Sequence, residues 1–295
     1  LDIPPGSPQH RAFKERFYQE ARISGTLSHP SIVTLFDIGE EKDVPFLAME
    51  FVDGKPIDDW CHDQQLSIAD SIALVARVCD ALAYAHQHLV IHRDVKPANI
   101  LVTKDGQPKL LDFGIATLMP ADGETAVNLT RTAQRGFTPG FASPEQVRGE
   151  PVTTASDVYS LGAVLFLILT GKPPYALAGL PPLDALRVIC EETPPDMSAV
   201  AAPSRRATLR GDLDAVVAKA LGKSSRERYS TIADLARDLQ SWQTGRPVTA
   251  VRQSTAYRMT RFVRRHIAAV SAAAAVGLAL LGGGVATAWQ ARIAA

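Results

Sequence analysis

Asp94, Lys96, Asn99 and Asp112 are residues whose types and spacing could carry out one reaction between them. Asp94 offers a carboxylate able to accept a hydroxyl proton, and Lys96 a cation to meet an anionic group in transfer. Asn99 and Asp112 offer two hard oxygen ligands for magnesium. Phosphoryl transfer needs that set, because its loose transition state is stabilised by positioning and charge neutralisation more than by covalent chemistry. The first three lie in Val90-Ile91-His92-Arg93-Asp94-Val95-Lys96-Pro97-Ala98-Asn99-Ile100-Leu101, and the fourth opens Asp112-Phe113-Gly114. A lone His-Arg-Asp is compatible with a surface loop; two motifs in this order and separation point to a built site.

The run from Val90 to Leu101 resembles the catalytic loop of protein kinases, and Lys96 gives it the serine/threonine-kinase form. The resemblance covers residues 11 to about 243. It implies ATP and Mg2+ as cofactors and protein Ser/Thr hydroxyls as acceptors, with Asp94, Lys96, Asn99 and Asp112 catalytic and Asn99 and Asp112 the metal ligands. By the same resemblance Glu20 matches the helix glutamate that pairs with an ATP-binding lysine, and Met49 the residue behind the adenine pocket. Glu50 to Val52 match the hinge that bonds adenine, and Leu101 the residue beneath the ring. Taken alone, Glu20 is an ordinary helix charge and the others are core packing.

The segment between Asp112 and Glu145 looks like an activation loop. Thr125, Thr130 and Thr132 lie in its polar middle as candidate phosphorylation sites, and Arg93 matches the partner of such a phosphate. Thr138 opens Thr138-Pro139-Gly140-Phe141-Ala142-Ser143-Pro144-Glu145, the substrate-facing end, and is expected to contact Asp94 and Lys96. Ser143 stands where the family commonly has Ala. Glu145 is expected to pair with Arg228 as a structural link, and Asp157 to anchor the catalytic loop from beneath. Ser24 departs from the apolar residue usual in the stack that reaches Phe113 and His92.

These groups need elements to hold them. Phe13, Phe17, Ala21, Ile23 and Leu27 form a stripe that predicts a helix over residues 11–27. Residues 32–36 and 46–52 read as strands around a polar turn near 40–43, with Asp53-Gly54 ending the second. Lys109-Leu110-Leu111 is strand-like. Ser67 to Asp70 is a capping box that opens a helix running through His88. Leu161 to Leu169 predicts a buried helix, followed by helices near 183–192, 213–221 and 231–242.

A Gly-rich flap and a strand lysine, which the resemblance calls for, are not found before Glu20; Lys14 lies on the helix of Glu20 and reads as a solvated charge. The expectation is an amino-terminally truncated chain, impaired in ATP binding. Charge is balanced at 31 basic and 31 acidic residues, so no global field argues for nucleic acid. The 3 cysteines share no metal-ligand spacing and suit a reducing compartment. Residues 267–289 carry no charge and as a helix would span roughly 34 Å, against a hydrocarbon core of about 30 Å. Arg261, Arg264, Arg265 and His266 precede it, placing its start on the cytoplasmic side near anionic headgroups. The alternative is an Ala-rich buried helix. Ala273/Gly277 and Ala279/Gly283 are small-residue pairs through which such helices could form a homodimer, a pattern Ala-rich helices also produce by chance.

The fold class expected is α+β: a two-lobed, protein-kinase-like fold lacking the first strands of the small lobe, plus a C-terminal transmembrane helix. The expected boundaries are a partial small lobe over 1–52, a large lobe over 53–243, a basic juxtamembrane linker over 244–266, a membrane helix over 267–289, and the start of an extracytoplasmic region over 290–295. The function expected is a serine/threonine protein kinase at the inner membrane with its catalytic domain cytoplasmic. The readings from other classes are a membrane-tethered scaffold without catalysis and a small-molecule phosphotransferase.

Overall fold

The computed structural model describes residues 7–111, 113, 139–251, 259 and 271. Its first element is α1 (Pro8–Ser24), followed by β1 (Leu35–Glu41) and β2 (Val44–Met49), an antiparallel pair. Glu41 pairs with Val44 across a two-residue turn in which Lys42 and Asp43 have φ of 50° and 65°. That left-handed pair matches the right-handed twist of the strands it joins. Phe17 is buried against Tyr18, Ile38 and Leu47, which seats α1 on the hairpin. Ala21 and Leu27 are also buried, but Ile23, assigned to the same stripe, is 43% exposed because it falls on the outer side of the helix.

The hairpin is offset from its predicted bounds. Ile32 bridges Leu110 and the Val33 amide donates to the Leu110 carbonyl at 2.9 Å, so this stretch belongs to the other lobe's sheet. Gly54 does not end a strand. It begins β3 (Gly54–Pro56), which pairs with Thr103 in register, and a Cβ there would lie 2.7 Å from the Val102 carbonyl oxygen. Only glycine allows that approach.

The larger body is mostly helical. After α2 (Ile57–Asp63) comes α3 (Ile68–Gln87), whose N-cap Ser67 accepts from the Asp70 amide. Ile72, Val75, Cys79 and Leu82 recur at helical spacing on its buried face. Then β4 (Ile100–Thr103) and β5 (Pro108–Leu110) complete a three-stranded sheet in the order β3-β4-β5. The helices α4 (Pro144–Arg148), α5 (Thr154–Thr170), α6 (Pro182–Glu191), α7 (Met197–Val200), α8 (Pro203–Leu209), α9 (Asp212–Ala220) and α10 (Ile232–Gln243) follow.

The centre of this body is α5, buried without a break from Ala155 to Phe166. At Gly162 an added Cβ would sit 2.8 Å from the Ala220 Cβ, so this glycine lets α9 cross close by. One continuous core joins α3, α5, α9 and α10. It extends past residue 243: Val248 is fully buried, and Asp238 on α10 accepts from the amides of Thr249 (2.7 Å) and Ala250 (2.9 Å) and from the Tyr229 hydroxyl (2.8 Å). Cys61 and Cys79 are packed inside this body, and burial pushes the Cys61 thiol up to about 11. Among the described residues no helix is long and apolar enough to cross a membrane; nearly all of the predicted span lies outside them.

Candidate active site

The catalytic loop runs between α3 and β4 and is held from below by a single buried carboxylate. Asp157, in the first turn of α5, accepts from the amides of His92 (Oδ2, 2.9 Å) and Arg93 (Oδ1, 2.9 Å), and its Oδ2 also lies 2.7 Å from His86 Nε2. This is the anchoring expected of Asp157; His86 was not foreseen. The arrangement lets Arg93 hold φ of 66°, a left-handed conformation unfavourable for a residue with a Cβ. His92 is fully buried, and burial pushes its imidazole pKa down, which favours the neutral ring. It packs on Phe113 with ring centroids 4.7 Å apart, so the second motif is tied to the first through these two rings.

Above this base, three of the four chemical groups converge. Lys96 Nζ lies 2.8 Å from Asp94 Oδ2. Asn99 Nδ2 donates to that oxygen and to the Asp94 carbonyl, both at 2.8 Å. Spending its amide hydrogens in this way leaves Asn99 Oδ1 without a partner among the described residues, as a hard oxygen donor fitted to magnesium. The Asn99 carbonyl accepts from the Leu111 amide at 2.9 Å, which brings the end of β5 alongside. Asp112 itself lies outside the described residues, as do Thr125, Thr130, Thr132 and Thr138.

The remaining residues are placed less simply. Glu20 is joined to Arg93, Oε1 to Nη1 at 2.9 Å, so the helix glutamate and the expected phosphate partner occupy each other. Lys14 bonds Glu40 at 2.7 Å and Asp43 at 3.4 Å, and is therefore paired rather than free in solvent as its position suggested. Glu50 turns its carboxylate to Lys109 of β5 at 2.6 Å, while its amide donates to the Thr34 carbonyl at 2.8 Å. Lys109 pulls the Glu50 carboxyl pKa below its ordinary value. Val52 is half-buried, Leu101 on β4 likewise, and Phe51 between Glu50 and Val52 is 89% exposed.

Glu145 and Arg228 form the expected buried pair, with two bonds of 2.7 Å, and Ser156 Oγ donates to Glu145 at 2.6 Å. Burial alone would raise the Glu145 carboxyl pKa; Arg228 and Ser156 overcome it and hold it at about 2. Gln146 was missed by sequence reasoning, although Ser143 three residues before it is the signature of a capping box. Its side chain closes that box and reaches the catalytic loop, donating to the Arg93 carbonyl at 2.5 Å.

The helical body with this loop, joined to a helix and a two-stranded hairpin, has the protein-kinase-like α+β fold. The chain belongs to the protein kinase family: the "Protein kinase domain" family model matches residues 6–238. It is 42% identical over 234 residues to the serine/threonine-protein kinase PknB of Mycolicibacterium smegmatis, covering 77% of this chain and 36% of that protein. Against the serine/threonine-protein kinase PknB of Mycobacterium tuberculosis it is 40% identical over 244 residues, 81% of this chain and 37% of the other. The chain thus spans little more than a third of the length of these relatives. The crystal structure of the Mycobacterium tuberculosis PknI kinase domain superposes with a TM-score of 0.59 at 27% identity, covering 81% of each chain.

Proposed function

We propose that the chain carries the catalytic part of a membrane-anchored kinase that transfers the ATP γ-phosphate to Ser and Thr hydroxyls of proteins. The observation that carries this reading is the convergence of Asp94, Lys96 and Asn99 on one side of the buried His92–Asp157 base. Asp94 orients the acceptor hydroxyl and takes its proton. Lys96, already 2.8 Å from Asp94, neutralises the phosphoryl group as it passes. Asn99 through Oδ1, together with Asp112, would hold magnesium, which when bound neutralises the ATP phosphates. Glu50 and Val52 supply hinge backbone groups to adenine, and Leu101 lies under the ring.

Thr125, Thr130 and Thr132 are the sites of regulatory phosphorylation in this reading, with Arg93 the cation they reach once it leaves Glu20. Thr138 positions the substrate beside Asp94. The uncharged run 267–289, preceded by Arg261, Arg264 and Arg265, is the anchor, with the lobes on the cytoplasmic side. The test is incubation of the full-length protein with ATP, magnesium and a generic protein substrate, read by mass spectrometry beside Asp94→Asn and Asp112→Asn. Phosphothreonine that both substitutions abolish is the expected result. Equal labelling in wild type and variants would refute the assignment, and no labelling in the wild type would favour a scaffold.

A further inference from the structure

Arg93 is the strained joint of the catalytic loop, and three separate elements restrain it. Its amide is bound to Asp157 on α5, its guanidinium to Glu20 on α1, and its carbonyl to Gln146 on α4. The last of these restrains a different part of the loop from the others. The Arg93 carbonyl belongs to the same peptide plane as the Asp94 amide, and that amide faces His92 Nδ1 at 3.4 Å. Gln146 therefore pins one edge of the plane that carries Asp94, while His92 touches the other.

The orientation of the Gln146 amide is fixed by chemistry. Its Oε1 accepts from the Ser143 amide at 3.0 Å and from the Ser143 hydroxyl at 2.9 Å, both donors. Its Nε2 meets a carbonyl, which can only accept. Turning the amide over would set Nε2 against the Ser143 amide N–H, donor to donor, and Oε1 against the Arg93 carbonyl, acceptor to acceptor. One side chain thus caps the start of α4, directly after the segment 139–142, and fixes the peptide before Asp94.

We infer that Gln146 is a positioning residue for phosphoryl transfer, transmitting the placement of the Ser143 turn to the Arg93–Asp94 peptide. The kinetic part of the inference rests on the proposed phosphotransfer reading; the structural part does not. Two reciprocal substitutions separate its roles. Gln146→Glu keeps acceptors for the Ser143 cap and places an oxygen against the Arg93 carbonyl. Gln146→Lys loses the acceptor for the cap and keeps a donor able to reach that carbonyl.

The measurement is hydrogen–deuterium exchange of peptides spanning His92 to Val95 in the full-length protein, with the unfolding midpoint and steady-state kinetics recorded alongside. Gln146→Glu is expected to speed exchange there by roughly tenfold, as loss of one hydrogen bond allows. It should lower kcat by about the same factor while leaving the KM for ATP within about twofold, the signature of an interaction serving the transition state. Gln146→Lys should keep loop exchange near wild type even while the midpoint falls. Unchanged loop exchange in Gln146→Glu, or an equal rise in both variants, would overturn the inference. A wild type without phosphotransfer would count against the kinase reading, and loop exchange would then decide this inference on its own.

Discussion

Phe166 and Phe36 show how differently the two lobes are built. Phe166 on α5 is 1% exposed within a core that draws on nearly every helix of the large lobe, whereas Phe36 on β1 is 69% exposed. The same contrast holds for polar groups. In the large lobe, three carboxylates are buried and well hydrogen-bonded: Asp157 by two amides and a histidine, Glu145 by Arg228 and Ser156, Asp238 by Tyr229, Thr249 and Ala250. In the small lobe the charges lie at the rim, as Lys14 does with Glu40 and Asp43. Phe36, Val44, Phe46 and Phe51 are each exposed, and the hairpin sheet has two strands among the described residues. The lobe that holds Asp94 is thus densely packed, while the part that holds Glu20 buries few side chains among the described residues.

The sharpest way to break that contrast is to remove one member of the buried ion pair. Arg228→Met leaves the Glu145 carboxylate buried without its partner and should cost about 3–5 kcal/mol in equilibrium urea unfolding. The pair also sets an acid limit. Since the native Glu145 carboxyl is held at about 2, below its ordinary 4.5, its contribution is complete above pH 4.5 and is lost as the pH falls from there through about 2. Unfolding curves between pH 5 and 2.5 should show that decline in the wild type and a shallower one in Glu145→Gln. Next in size comes Leu165→Ala in α5, at a fully buried position, expected to cost about 2–5 kcal/mol through the cavity it leaves. A loss below about 1 kcal/mol would mean the large lobe is far more plastic than its packing indicates.

Legibility in the sequence followed the range of the interactions involved. Ser67, Asp70 and the apolar spacing after them predict α3 because cap and periodicity are local, and α3 spans Ile68–Gln87. Glu145 with Arg228 came from resemblance, and the geometry agrees. Partners across the chain were not legible. Nothing local shows that Ile32 and Val33 pair with Leu110, which is why the first strand was placed three residues early. Gly54 was read as a stop because glycine so often is one, while its real role is a close approach to Val102. Glu20 was matched by resemblance to a glutamate that pairs with a lysine; its bond to Arg93 was not legible, because it depends on how α1 sits over the loop. Gln146 was missed although Ser143 three residues before it has the spacing of a capping box, and its second bond, to Arg93 some fifty residues away, has no local signal.

The smallest effects should come from the small lobe, and they test whether it opens separately. Phe17 is buried with Tyr18, Ile38 and Leu47 around it, so Phe17→Ala removes the apolar contact that seats α1 on the hairpin. The large-lobe core makes no use of Phe17, so the loss is expected locally. Amide exchange in β1 and β2 should speed up by at least about tenfold, while amides of α3 and α5 stay at their wild-type rates. Phe36→Ala, two-thirds exposed already, should change stability by no more than about 0.5 kcal/mol and leave both sets of amides alone. If Phe17→Ala instead accelerated α5 exchange in step with the hairpin, the lobes would form one cooperative unit. The Glu20–Arg93 bond, which spans them, would then be strong enough to couple their opening.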